Sequence, residues 1–171
     1  GIISAETHRG IYLLVTFLLC IILYPTSKKK PYSKLFYVID LILVALACSS
    51  IIYWMVEYKE YAALRAGWTN QWDLIFGLIV MVISLEVTRR VMGNVLPIIA
   101  LVMLCLTHFG PYLPGIFTHG GILLSSTVEY IFYTDGIFGT IVSTFATYIV
   151  PFLIFGSFLK NSGGGDFFID L

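Results

Sequence analysis

The sequence predicts an all-α fold, a polytopic membrane bundle of about five transmembrane helices and one further helix that is interfacial or partly spanning. Hydrophobic residues make up 58% of the 171 residues and charged residues only 12%, and the mean hydropathy is +0.92. Soluble domains carry about a quarter charged residues, and a chain of this length buries only about two-thirds of its surface on folding. The excess apolar surface is therefore expected to face lipid.

Five apolar segments approach the roughly 20 residues that a helix needs to cross a bilayer core. They are 11–24, 35–56, 73–88, 95–109 and 137–159. The stretch 111–133 is richer in Gly, Pro, Ser and Thr, and predicts a tight turn at 111–115 followed by the interfacial or partly spanning helix. The start at Gly1 and the glycine-rich end at 163–171 predict a segment of a longer chain.

Basic residues in two short loops predict the orientation of the chain. Lys28, Lys29 and Lys30 lie between the first two segments, and Arg89 and Arg90 lie between the third and the fourth. Short loops rich in Lys and Arg stay on the cytoplasmic side of a membrane. We therefore expect both loops to be cytoplasmic and these residues to orient and anchor the chain.

Acidic residues near the segment ends predict structural roles. Glu86 and Arg90 are four residues apart, which places them on one helix face at ion-pair distance, whereas Arg89 is expected to project to a different side. We interpret the pair as interfacial, with long side chains reaching the headgroups, in preference to a gating role. For Asp40 and Asp73, capping and interface anchoring are favoured over ion transport.

Aromatic residues bracket the connection between the second and third segments, and such rings settle at the headgroup level of a membrane. They are Tyr53, Trp54, Tyr58, Tyr61, Trp68 and Trp72. We interpret them as an interfacial belt in preference to a ligand-stacking site.

Several function classes are not favoured. Ten basic and ten acidic residues cancel, so no charge excess favours a nucleic-acid partner. The three histidines and three cysteines are scattered without metal-ligand spacing, and no catalytic triad, phosphate loop or dinucleotide motif is present in the sequence. We expect neither an enzyme nor a bound metal.

The order of five longer stretches resembles the N-terminal part of the fused permease of tripartite ATP-independent periplasmic (TRAP) transporters, in the branch that works with TAXI-type binding proteins. The stretches are FLLCIILYPTSKKKP (17–31), YVIDLIL (37–43), LEVTRRVMGNVLP (85–97), FGPYLPGIFTHGG (109–121) and GIFGTIVSTFATYIVPFLIFGSFLKNSGGGDFF (136–168). The resemblance implies three parts: 1–110 as part of the small Q-like scaffold domain, 111–135 as a connecting or interfacial segment, and 136–171 as the start of the large M-like transport domain.

The resemblance also implies a multi-pass protein of the cytoplasmic (inner) membrane of a prokaryote, acting in sodium-coupled, elevator-type uptake of organic acids. Sodium would be the coupling ion, with no other cofactor. The implied partners are an extracytoplasmic TAXI-type substrate-binding protein, the rest of the large transport domain and the lipid bilayer. Most binding residues are expected beyond Leu171, so Ser157 and Asn161 are substrate or ion candidates from position alone.

A non-transporting membrane scaffold or assembly subunit is the alternative function. It requires only helix faces that pack closely, and small residues supply such faces in membranes. The second and fifth segments carry them at Ala45, Ala47, Ser49, Ser50, Gly139, Ser143 and Ala146.

Overall fold

The computed structural model describes residues 4–25, 34–112, 114–115 and 118–162, and its regular elements there are all helical. This confirms the predicted all-α class. The six helices are α1 (Ala5–Leu23), α2 (Lys34–Glu60, continued by a π-helical turn at Tyr61–Arg65), α3 (Gln71–Met92), α4 (Val95–His108), α5 (Leu124–Glu129, continued by a π-helical turn at Tyr130–Thr134) and α6 (Thr140–Asn161).

Three of these helices are long and apolar enough to cross a membrane: α1, the α2 stretch Phe36–Arg65, and α6. They coincide with three of the five predicted segments. The fourth segment forms α4, which is apolar but only 14 residues long. The third forms α3, which has 22 residues but carries acidic and basic side chains near its two ends.

Local sequence signals account for where several helices begin and bend. The Ser4 side chain accepts a hydrogen bond from the Thr7 amide at the start of α1, and Asn70 and Asp73 form a capping box at the start of α3. Within α6, Pro151 has no N–H to donate and its ring crowds the preceding turn. The π-helical turn Phe145–Ile149 lies directly before it, as expected where the regular hydrogen-bond ladder is interrupted.

Helices α1, α2 and α3 pack against one another, α4 and α5 contact α3, and the first half of α6 contacts α1. Helices α1–α3 therefore form a central three-helix bundle, and the later helices pack on its outside. The buried core consists of Leu13, Phe17, Ile21, Ala47, Ile51, Trp54, Tyr61, Val80, Ile83, Val87, Phe132, Tyr133 and Phe138.

Helices α4 and α5 lie one after the other along α3. The Ile122 amide donates to the Thr107 carbonyl at 3.1 Å, so α5 starts close to where α4 ends. Val128 of α5 reaches Gly77 of α3, where an added Cβ would overlap it. At a rise of 1.5 Å per residue, α3 covers about 24 Å between Gly93 and Gly77, and α4 plus the first turn of α5 cover about the same length. The two short helices together therefore match the length of α3 from its C-terminal end to Gly77.

The predicted aromatic belt is wrong for two of its six members, Trp54 and Tyr61. Trp54 is buried and stacks on Phe138 with ring centroids 4.0 Å apart, and Tyr61 is buried and stacks on Tyr133 at 3.8 Å. The segment around α5 covers these rings, which the order of residues along the chain does not reveal. Two of the six predicted belt residues are largely exposed, Trp68 and Trp72.

Candidate functional site

Polar side chains gather at the two ends of the α1–α3 bundle. We call one group the Arg90 cluster, made of Asp40, Glu86, Arg89 and Arg90, and it adjoins the C-terminal end of α1. The other is the Asp73 cluster, made of Tyr53, Arg65, Asp73 and Tyr133, and it adjoins the N-terminal end of α3.

In the Arg90 cluster, one guanidinium links three helices. Arg90 Nη1 lies 2.8 Å from Asp40 Oδ1 of α2, and its Nε lies 2.8 Å from Glu86 Oε1 one turn earlier on α3. Arg90 Nη1 also donates to the carbonyl of Tyr24, which follows α1, at 3.3 Å. The Arg90 side chain is only 2% exposed. A buried arginine is costly unless its donors find acceptors, and here the acceptors come from α1, α2 and α3.

The predicted Glu86–Arg90 ion pair is present, but two expectations about it are wrong. Arg90 points into the bundle and does not reach the surface, because Asp40 offers a second carboxylate there. Arg89 does not project away from Glu86; its Nε and Nη2 both donate to that carboxylate at 2.8 Å. The other residues predicted to anchor the chain, Lys28, Lys29 and Lys30, lie outside the described residues.

In the Asp73 cluster, a single carboxylate is the centre of a hydrogen-bond network. Asp73 Oδ1 accepts from the Tyr53 hydroxyl at 2.6 Å and from the Tyr133 hydroxyl at 2.7 Å. Oδ2 accepts from the Asn70 amide at 2.7 Å and lies 3.4 Å from Arg65 Nη1. The capping role expected for Asp73 is therefore present. The Asp73 side chain is 1% exposed, and both of its oxygens are satisfied, as a buried carboxylate requires.

A second layer of contacts surrounds the Asp73 cluster. Arg65 also pairs with Glu57, and the Tyr61 hydroxyl donates to the carboxylate of Glu129 on α5. The Gly67 amide donates to the same carboxylate at 2.9 Å. Two π-helical turns, at the ends of α2 and α5, place Tyr61, Arg65 and Tyr133 beside α3. The cluster thus fastens the connecting segment to the bundle.

The start of α6 is capped by an aspartate from the turn before it. Asp135 Oδ1 accepts from both the amide and the hydroxyl of Thr140, each at 3.0 Å. These two hydrogen bonds favour the ionised form and hold the pKa of Asp135 below its ordinary value. Nearby, Arg9 Nη1 donates to the Phe138 carbonyl at 3.4 Å, which ties α1 to the same turn.

The two candidate binding residues lie apart from both clusters. Ser157 and Asn161 are one turn apart on α6, in its second half, and both are exposed. The structure brings neither of them to the Arg90 cluster or the Asp73 cluster. Position alone suggested them, and no described contact adds a ligand-binding role.

Two grooves of the described part are open and apolar. One lies between α1 and α6, lined among others by Tyr12, Thr16, Ile141 and Phe145, and another follows the exposed face of α4. No group of three His, Cys, Asp or Glu side chains among the described residues is arranged to hold a metal ion. The two clusters are suited to holding helices together, because the charged side chains within each cluster form ion pairs with one another.

The fold thus defines an all-helical protein with three helices of membrane-spanning length and composition. No family model matches the chain, and neither a curated protein nor a solved structure matches it.

Proposed function

We propose that this chain is the scaffold portion of a membrane permease for secondary active, sodium-coupled uptake of organic acids, of the TRAP type. The sequence resemblance supplies the class. The observation that carries the scaffold role is the bracing of α1, α2 and α3 at both ends by the buried side chains of Arg90 and Asp73. Helices fastened at both ends suit a rigid frame, against which the rest of a large transport domain moves.

The proposal includes five membrane crossings: α1, α2, α3, the interrupted pair α4 and α5, and α6. With alternating directions, the Arg90 end faces the cytoplasm, since Lys34, Arg89 and Lys160 lie at that end. The Asp73 end then faces outward, toward an extracytoplasmic TAXI-type binding protein. On this proposal the protein resides in the inner membrane of a prokaryote.

Cysteine accessibility tests this orientation. Lys34→Cys and Trp68→Cys, each placed in a background without Cys20, Cys48 and Cys105, report on opposite ends of the bundle. In intact cells, we expect a membrane-impermeant thiol reagent to label position 68 and to spare position 34. Labelling of position 34 from outside, with position 68 protected, would contradict the orientation.

Transport itself is tested with the full-length permease that contains this segment. The permease is reconstituted in proteoliposomes, with its binding protein outside, and uptake of a panel of organic acids is measured with and without an inward sodium gradient. We expect uptake that requires both the gradient and the binding protein. Omitting either one is the internal control.

A non-transporting scaffold or assembly subunit is the second candidate, because the same bracing serves it equally well. It predicts no uptake of any acid in the panel by protein that is folded and inserted. It also predicts that the chain co-purifies with a separate large membrane protein.

A further inference from the structure

The break between α4 and α5 is closed by two backbone hydrogen bonds. The Ile122 amide donates to the Thr107 carbonyl at 3.1 Å, and the His119 amide donates to the Gly110 carbonyl at 3.3 Å. The last carbonyls of a helix have no partner within that helix. In α4 the carbonyls of Leu106 and Thr107 accept from the loop, so the loop also forms part of the C-terminal cap of α4.

The imidazole of His119 joins this cap to the loop. Its Nε2 lies 3.1 Å from the Leu106 carbonyl, and its Nδ1 lies 3.2 Å from the Gly121 amide nitrogen. The ring fills the space beside Gly110, where an added Cβ would overlap it. Gly121 has a φ of 67°, a left-handed conformation that glycine adopts without strain.

These two contacts require one protonation state. The Leu106 carbonyl can only accept, so Nε2 carries a hydrogen; the Gly121 amide can only donate, so Nδ1 carries none. His119 in the closed loop is therefore the neutral Nε2–H tautomer. Histidine is also the side chain whose charge changes between about pH 5 and pH 8.

We propose that His119 is a proton-sensitive lock on the break between α4 and α5. Protonation places a hydrogen on Nδ1, directed at the Gly121 N–H, and that hydrogen bond is lost. The bond from Nε2–H to the Leu106 carbonyl remains, and the positive charge is favoured at the C-terminal end of α4. Acidification therefore releases the Gly121 amide, while His119 stays attached to α4. Ile122 keeps its bonds to Thr107 and His108.

The surroundings assign this sensitivity to His119. The other imidazole of the loop, His108, has its Nδ1 3.1 Å from the Ile122 carbonyl. That nitrogen donates whether the ring is neutral or charged, so His108 keeps its bond. Among the described residues, no Asp, Glu, Lys or Arg forms an ion pair or hydrogen bond with either ring. The first carboxylate on α5, Glu129, is held by Tyr61 and Gly67.

Hydrogen exchange of the purified chain in detergent tests the lock. Wild type and His119→Asn are compared at pH 8 and pH 5.5, after correction for the intrinsic pH dependence of exchange. Asparagine places an acceptor oxygen where Nδ1 stands but does not gain a proton. We expect the protection of the Gly121 amide in wild type to fall on the order of five-fold on acidification, as for the loss of one hydrogen bond. The protection of the Ile122 amide, which donates to Thr107, should stay unchanged. In His119→Asn the protection of Gly121 should not change with pH.

Two histidine variants serve as matched controls. His108→Gln removes the other imidazole of the loop, and His8→Gln removes an exposed histidine of α1. Both should keep the wild-type response to pH. Equal responses in wild type and His119→Asn, or loss of the response in His108→Gln, would overturn the proposal.

A measurement on the wild type alone covers the case in which His119→Asn does not fold. Nitrogen NMR of histidine-labelled protein at pH 8 distinguishes the two neutral tautomers. The proposal requires the Nε2–H tautomer for His119, and the Nδ1–H tautomer would refute it. The inference concerns the loop alone and does not depend on transport.

Discussion

Each end of the α1–α3 bundle contains a buried charged side chain, and the two ends stabilise that charge in different ways. At one end, Arg90 is shared by two carboxylates that keep contact with solvent, since the side chains of Asp40 and Glu86 are 18% and 25% exposed. At the other end, Asp73 is almost wholly buried; its carboxylate is stabilised mainly by hydrogen bonds from the hydroxyls of Tyr53 and Tyr133, with Arg65 as the more distant opposite charge. The first end joins only early helices, whereas the second also holds the connecting segment.

The comparison shows that the stability lost when a buried charged side chain is removed depends on whether its former hydrogen-bond partners can bind water instead. A carboxylate that is partly exposed can recover hydrogen bonds from water, but a buried donor without an acceptor retains its full desolvation penalty. The Asp73 end should therefore be the more sensitive of the two, although it contains fewer formal charges.

The largest effect is expected for Asp73→Ala. It leaves the hydroxyls of Tyr53 and Tyr133 and one side of Arg65 without an acceptor, and removes the cap of α3. We expect the free energy of unfolding to fall by about 3–5 kcal/mol. Thermal unfolding in detergent, followed by circular dichroism, measures the corresponding fall in Tm. A loss smaller than that of the Arg90 variant would reverse the proposed ranking.

A smaller loss is expected for Arg90→Met, which preserves much of the apolar length of the side chain. Asp40 remains partly solvated and Glu86 keeps Arg89 as a partner, so we expect a loss of about 1–3 kcal/mol. Arg89→Met is the matched control on the same helix. Arg89 is 42% exposed, and its removal should cost at most about 1 kcal/mol. Similar losses in both variants would show that burial does not set the cost.

Alanine at two glycines should act with opposite signs. In α3, a Cβ at Gly77 would meet Val128 and Phe132 of α5, so Gly77→Ala should separate these helices and cost about 1–3 kcal/mol. In α6, a Cβ at Gly156 would meet nothing within 4 Å. Gly156→Ala should be neutral or stabilise the helix by up to about 1 kcal/mol. Tm values of the two variants, measured side by side, test whether α5 packs on α3.

The smallest effect is expected for Asp135→Asn at the start of α6. Because the pKa of Asp135 is lowered in the fold, its contribution to stability is present at neutral pH and is lost as the pH falls through that lowered value. We therefore expect a slightly lower Tm for the variant at pH 7 and equal values in strong acid. A difference that persists unchanged at low pH would rule out the carboxylate as its cause.

Local features of the sequence were enough to predict part of both clusters. The i, i+4 spacing predicts the Glu86–Arg90 pair, and the position of Asp73 at a helix start predicts its capping role. Both predictions need only residues within one helical turn. The pairing of Arg90 with Asp40 and of Asp73 with Tyr133 was not predicted, because 50 and 60 residues separate these partners along the chain.

By itself, the sequence determined that the chain is helical and that much of its surface is apolar, since both follow from composition and from the length of apolar runs. Only the tertiary structure decided that Trp54 and Tyr61 are buried, that α4 and α5 follow one another along α3, and that the connecting segment is part of the core. The physical reason is that the hydrophobic effect is not directional, so the identity of an apolar residue does not specify which residue it packs against. An aromatic ring near a helix end fits a membrane interface and a helix interface equally well, and only the position of α5 decides between them.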